Sequence, residues 1–171
     1  MADNFPPYSF VPGHWPHPTR DPEGHSYGIE PSVGAALDLE DWQHCDAYLR
    51  GVALFNAGYY WEAHEVWEEI WKALGREGVT AELLQALIKL TAVGVKIRQG
   101  YGGAALSLLQ QATIHFRHVH TDEAKSCVAG INLEALISQC ERLSHEVKEL
   151  QGDPTLPVET VLAPLVLEGR A

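Results

Sequence analysis

From residue 37 to about residue 151 the apolar positions recur at three- and four-residue intervals, and the period-two alternation of strands is missing. Trp42, Cys45, Tyr48, Leu49, Val52, Leu54 and Phe55 predict a first helix over 39–57, with Asp38 as its N-cap and Gly58 as its break. Ala63, Val66, Trp67, Ile70 and Leu74 form the apolar stripe of a second helix over 59–74, ended by Gly75 and Gly78. A third, over 81–99, has Thr80 as its cap and Gly100 at its close. Leu83, Leu84, Leu87, Ile88, Leu90, Val93, Val95 and Ile97 cover most of its circumference, which places it in the middle of a bundle. A fourth helix follows over 103–118 and a short fifth near 122–129. The last begins after Asn132, a good cap, with Ile131 and Leu136 as a staple around it, and reaches about residue 150. The expected fold class is all-α, a bundle of about five to six helices.

Gly58-Tyr59 and Gly100-Tyr101 open matching segments, in which Ala63 corresponds to Ala105 and Trp67 to Leu109. Small residues let paired helices approach closely, so the bundle reads as two stacked helical hairpins. The flanks differ in character. Residues 1–36 hold most of the prolines and cannot be helical. They also carry Phe5, Tyr8, Phe10, Trp15 and Tyr27, whereas disordered chains are poor in aromatics. The segment 1–36 is therefore expected to be an extended arm whose aromatics dock on a helical domain, 37–151. Residues 152–171, with three prolines and Leu156, Val158, Val161 and Leu165, read as a tail packed on that body.

Composition narrows the function classes. Twelve Lys and Arg against 23 Asp and Glu give a formal charge of −11. An acidic surface repels phosphate backbones, so nucleic acid is not an expected partner. No polybasic helix suggests a membrane surface, and no apolar run approaches the roughly 18 residues of a membrane span. Met1–Phe10 has neither a basic n-region nor an apolar h-region. Cys45, Cys127 and Cys140 have no metal-type spacing and read as reduced thiols. The expected location is cytoplasmic.

Polar chemistry concentrates in the second helix. At about 100° per residue Glu62, Glu65 and Glu69 share one face, while His64, Glu68 and Trp71 share a flank beside the apolar stripe. The run Phe55-Asn56-Ala57-Gly58-Tyr59-Tyr60-Trp61-Glu62-Ala63-His64-Glu65 resembles the hallmark of the domain of unknown function 309 family, small all-helical proteins of bacteria and archaea. The later runs Leu83–Ile88, Arg98-Gln99-Gly100 and Gly103–Leu109 are similar to its second block. The resemblance covers about 49–116. It implies the helical fold and marks Trp61, Glu62, His64 and Glu65 as signature positions, and it implies no activity. Where members of the family often carry a glutamine and a histidine on the third helix, this chain has Lys89 and Val95-Lys96.

Two functions follow from these residues. One is a non-catalytic helical-hairpin module for a protein or peptide partner, or for self-association, with no cofactor. The other is a metal-dependent enzyme, such as a hydrolase: His64-Glu65-Val66-Trp67-Glu68 is similar to H-E-x-x-H with its second histidine replaced. The candidate ligands of a divalent metal are Glu62, His64, Glu65 and Glu68. The arm's His14, His17 and His25 offer a further H-x-x-H in a loop, and His115, His118 and His120 read as residues of a helix C-terminus, where cations are favoured. No nucleophile elbow or phosphate-binding glycine loop is present. The lysines of the third helix, Lys89 and Lys96, stand seven residues apart. They are expected to pair with Glu62, Glu65 or Glu69 in an internal charge cluster.

Overall fold

The computed structural model of the chain describes residues 4–31 and 35–169. Parts of the expected arm (1–3 and 32–34) and of the tail (170–171) lie outside the described residues. Five α-helices follow one another: α1 (Asp46–Asn56), α2 (Tyr60–Ala73), α3 (Val79–Gln99), α4 (Gly102–Glu123) and α5 (Leu133–Ser144). The fold is an all-α bundle, and no described helix is long and apolar enough to cross a membrane.

The helices pack as two antiparallel hairpins. In α1–α2, Phe55 meets Tyr60 and Gly51 lies under the Trp67 ring. In α3–α4, Lys89 bonds Gln111 and Glu82 reaches His115 and His118, so partners on the two helices sum to about the same number. The hairpins join through α2 and α3, where Tyr60 crosses Gly94 and His64 meets Thr91. Glycine is required at both crossings: a Cβ on Gly51 would sit 2.1 Å from the Trp67 indole nitrogen, and one on Gly94 would sit 2.6 Å from the Tyr60 ring. Gly58 and Gly100 break the chain between paired helices as expected, both with positive φ. α3 buries Leu83, Leu84, Leu87, Val93 and Ile97 completely or nearly so, as a central helix must.

Several boundaries differ from the sequence reading. The first helix starts at Asp46, after a single 3-10 turn over Trp42–His44, and Asp38 instead closes a turn by accepting from the Glu40 amide. Thr80 lies inside α3, which Gly78 precedes. The expected fifth helix at 122–129 does not exist. α4 runs on to Glu123, and a two-residue hairpin follows: β1 (Cys127–Val128) and β2 (Ile131–Asn132), antiparallel. Its turn residues, Ala129 and Gly130, both have φ > 0, the backbone such a turn demands. Tyr48 donates to the Ala129 carbonyl, so tertiary contact holds a conformation that local propensity does not call for. α5 begins as expected, with the Asn132 side chain accepting from the Ala135 amide, and ends early, at Ser144.

The lysines of α3 do not meet the carboxylates of α2. Lys89 donates to Gln111 at 2.9 Å, and Lys96 donates to Gln99 at 3.1 Å and lies over the Tyr101 ring. The reason is rotation. The α2-facing side of α3 is set by Thr91 and Gly94, and Lys89 and Lys96 stand roughly 140–160° around the helix from Thr91. The expected internal Lys–Glu cluster is therefore corrected: among the described residues Lys72 alone of the lysines pairs with α2 carboxylates, at 3.8 Å from Glu68 and 3.2 Å from Glu69.

Candidate functional site

The run Asn56–Glu62 closes α1, turns, and opens α2, and nearly every polar atom in it grips the backbone of a flanking segment. The Asn56 side chain donates to the Leu165 carbonyl at 2.9 Å and accepts the Leu165 amide at 2.7 Å, a two-point clamp on the tail. Gly58 leaves room for the Glu159 carbonyl, which a Cβ would approach to 2.9 Å. The Tyr59 hydroxyl donates to the Pro6 carbonyl. The buried Tyr60 hydroxyl accepts the amides of Val161 and Leu162, both at 2.9 Å. Trp61 meets Phe10 edge-on at 4.8 Å. An aromatic body for the core and a polar tip for a passing strand explain why this turn is rich in tyrosine.

Glu62 completes the set. Its Oε1 accepts the Phe10 amide and faces His25 Nε2, both at 2.9 Å, and its Oε2 accepts the Ser9 hydroxyl at 3.0 Å. Facing a carboxylate, His25 Nε2 is the donor, and Nδ1 lies 2.8 Å from the Ser26 hydroxyl. The arm is thereby drawn over α2. Tyr8 and Phe10 are buried, Tyr8 stacks on Trp15, and the Trp15 indole donates to the Pro154 carbonyl. Tyr27, expected to dock with the others, is 54% exposed, because it lies beyond the His25 contact that fastens the arm. Of the arm histidines, His17 edges Trp61 and its Nδ1 accepts the amides of Thr19 and Arg20, while His25 is spent on Glu62.

Arm and tail also meet each other, through the Ser9 amide and the Pro157 carbonyl. Beneath the tail lies Arg98, buried to 1% exposure, which the sequence marks only as part of the Arg98-Gln99-Gly100 run. Its Nη2 donates to the carbonyls of Asp153 and Leu156, and its Nε stands 3.7 Å from the Glu159 carboxylate. Burial draws the guanidinium below its ordinary value, against the pull of Glu159 and then Glu62.

Between the arm and α2 remains a groove of about 330 Å³. Leu54, Val66, Trp61, Ile29 and Pro18 give it an apolar wall, and Glu30, Glu65 and Glu69 line it with carboxylates. Arg50 also lines it, but its guanidinium is occupied by the Asn4 carbonyl and the Phe5 ring. Glu65 is open to solvent; crowding by its neighbours, then the charge of Glu68, raises its carboxyl above the usual range.

The expected metal set divides. His64, Glu65 and Glu68 bring ligand atoms within 4.8 Å of one another. Glu62 stands apart, two residues and about 200° from His64, with both oxygens engaged by the arm. Thr91 donates its hydroxyl proton to the Ile88 carbonyl at 2.5 Å, so at 3.3 Å it can only accept from His64 Nδ1. His64 Nε2 is left with its lone pair, 3.9 Å from Glu68. Burial lowers the affinity of this ring for a proton. A neutral imidazole fixed by its other nitrogen suits a metal, but the Lys72 ammonium beside Glu68 opposes a dication. Neither Lys89 nor Lys96 belongs to this site or to the groove.

The geometry thus assigns the polar run of α2 two tasks, holding arm and tail on one side and lining an acidic groove on the other. Comparison with curated proteins finds no match for this chain. The model of the family described as Domain of unknown function (DUF309) matches residues 48–108, from within α1 to the second turn of α4.

Proposed function

We propose that this protein is a non-catalytic binding module, and that its arm–α2 groove receives a peptide segment in which a Lys or Arg adjoins an apolar side chain. The groove itself carries the reading: about 330 Å³ lies at the small end of ligand-sized clefts, and its wall is apolar while Glu30, Glu65 and Glu69 supply the charge. The neighbouring Asn56–Glu62 face already binds extended backbone, in this case from the chain's own flanks. A partner segment meets the same kind of surface beside them. The acidic charge of −11 disfavours nucleic acid and fits a cytoplasmic protein with a basic partner.

The test is an array of ten-residue peptides placing Lys or Arg next to Leu, Val or Phe, probed with the full chain. Selective retention of such peptides, weakened by Glu65→Lys with Glu69→Lys and by added salt, is expected. Retention indifferent to both charge reversals would refute the groove as the binding site.

A second reading, a metal-dependent hydrolase, rests on the convergence of His64, Glu65 and Glu68 and on the Thr91 contact that frees His64 Nε2. A metal there would supply a Lewis acid. Hydrolysis of model esters or phosphoesters that depends on added metal and is lost in His64→Gln would favour it over the binding module.

A further inference from the structure

A second cluster of ligating side chains lies at the far end of the α3–α4 hairpin, away from the groove. Glu82 stands in the first turn of α3. The antiparallel pairing of the two helices carries the last turns of α4 past it. His115 and His118, three residues apart on α4, project from the same face. Both turn Nδ1 to one oxygen, Glu82 Oε1, at 3.1 and 2.9 Å. Their rings stand almost perpendicular, and the ligand atoms of the three residues all lie within 4.8 Å of one another.

From these positions we infer that Glu82, His115 and His118 form a binding site for a divalent transition ion of the zinc class. Two imidazoles and one carboxylate are the donor set of open zinc centres, in which water completes the coordination. Two ligands on a tetrahedral zinc lie about 3.4 Å apart, given bonds of about 2.1 Å, so the observed separations need only small side-chain rotations. Glu82 and His115 are three-quarters buried and His118 is 60% exposed, which anchors two ligands and leaves the third side open to water. Each neutral ring passes its proton from Nδ1 to Nε2 through solvent, and the freed lone pairs bind the ion. No Lys or Arg pairs with Glu82 among the described residues, in contrast to the Lys72 ammonium beside Glu68. Softer imidazole donors also favour this cluster over His64, Glu65 and Glu68, which offers one ring only. Glu82 lies within the span of the family match, and the two histidines lie beyond residue 108, where that match ends.

Titration calorimetry of the full chain with zinc chloride at neutral pH tests the site. One zinc per chain is expected, with affinity at least about tenfold weaker in His118→Gln and in His115→Gln, since even a lost supporting contact costs that much. His118 is exposed, so its variant keeps the fold, which circular dichroism verifies. In His64→Gln the affinity is expected to be unchanged. Absence of binding up to about 1 mM zinc, a level at which even weak sites fill, would overturn the assignment. So would binding that survives both α4 variants or disappears in His64→Gln.

Discussion

His25 Nε2 and Glu62 Oε1 lie 2.9 Å apart across 37 residues of sequence, with 4% and 8% of their side chains exposed. The pair fastens an extended, proline-rich arm to the opening turn of α2. The same carboxylate takes the Ser9 hydroxyl and the Phe10 amide. Removing the carboxylate strands three donors at once. Glu62→Ala is expected to cost about 3 kcal/mol, the scale set by breaking a buried, hydrogen-bonded charge. Urea unfolding measures the loss, and limited proteolysis should cut the arm between residues 13 and 31 in the variant first. An arm as resistant as in the parent chain would contradict this role for Glu62.

The tail has its own fastenings. Tyr60→Phe keeps the buried ring but leaves the Val161 and Leu162 amides without an acceptor. Hydrogen exchange at those two amides should quicken, with a stability loss of about 1–3 kcal/mol. Exchange unchanged at Val161 and Leu162 would mean that other contacts suffice to hold the tail.

Close helix crossings predict opposite effects at three glycines. Gly51→Ala and Gly94→Ala drive a methyl into Trp67 and Tyr60 and should each destabilise the chain by at least about 1–3 kcal/mol. Gly103, helical and with nothing near its Cβ position, should tolerate alanine and gain up to about 1 kcal/mol. Thermal unfolding of the three variants compares them, and a similar penalty at all three would deny that the crossings set the cost.

Burial lowers the folded-state pKa of His64 below its ordinary 6.5. Between the two values the unfolded chain binds a proton that the folded chain does not, so stability falls as pH drops below about 6.5. His64→Gln should remove this part of the acid dependence while leaving the carboxylate-driven loss at lower pH. Unfolding measured from pH 7.5 to 4.5 reads it directly. Parallel curves for parent and variant would rule out the contribution of His64.

Cys140 is buried, and desolvation pushes its thiol up to about 11. Cys45 is buried as well, whereas Cys127 is only partly so. In the native chain a thiol reagent should label Cys127 first, with Cys45 and Cys140 reacting only on unfolding. Rapid native labelling of Cys140 would be inconsistent with its position between α4 and α5.

By itself the sequence determined the elements whose cause is local. The stripe Ala63, Trp67 and Ile70, the near-complete apolar girth of α3, the breaks at Gly58 and Gly100, and the Asn132 cap are all written in spacing and in backbone freedom. The resemblance carried by Phe55–Glu65 was equally legible, because a contiguous motif survives without coordinates. Only tertiary structure decided which way each helix face turned. A rotation of α3 sends Lys89 and Lys96 toward Gln111 and Tyr101 instead of toward α2, and no single-chain periodicity fixes that angle. The strand pair at Cys127–Asn132 owes its turn to the Tyr48 hydroxyl, 81 residues away from Ala129. The meeting of His25 with Glu62, and of Glu82 with His115 and His118, depends likewise on where the chain returns. Side-chain partners distant in sequence are chosen by packing of the whole core, in which the burial of many apolar groups outweighs the preference of any one polar pair.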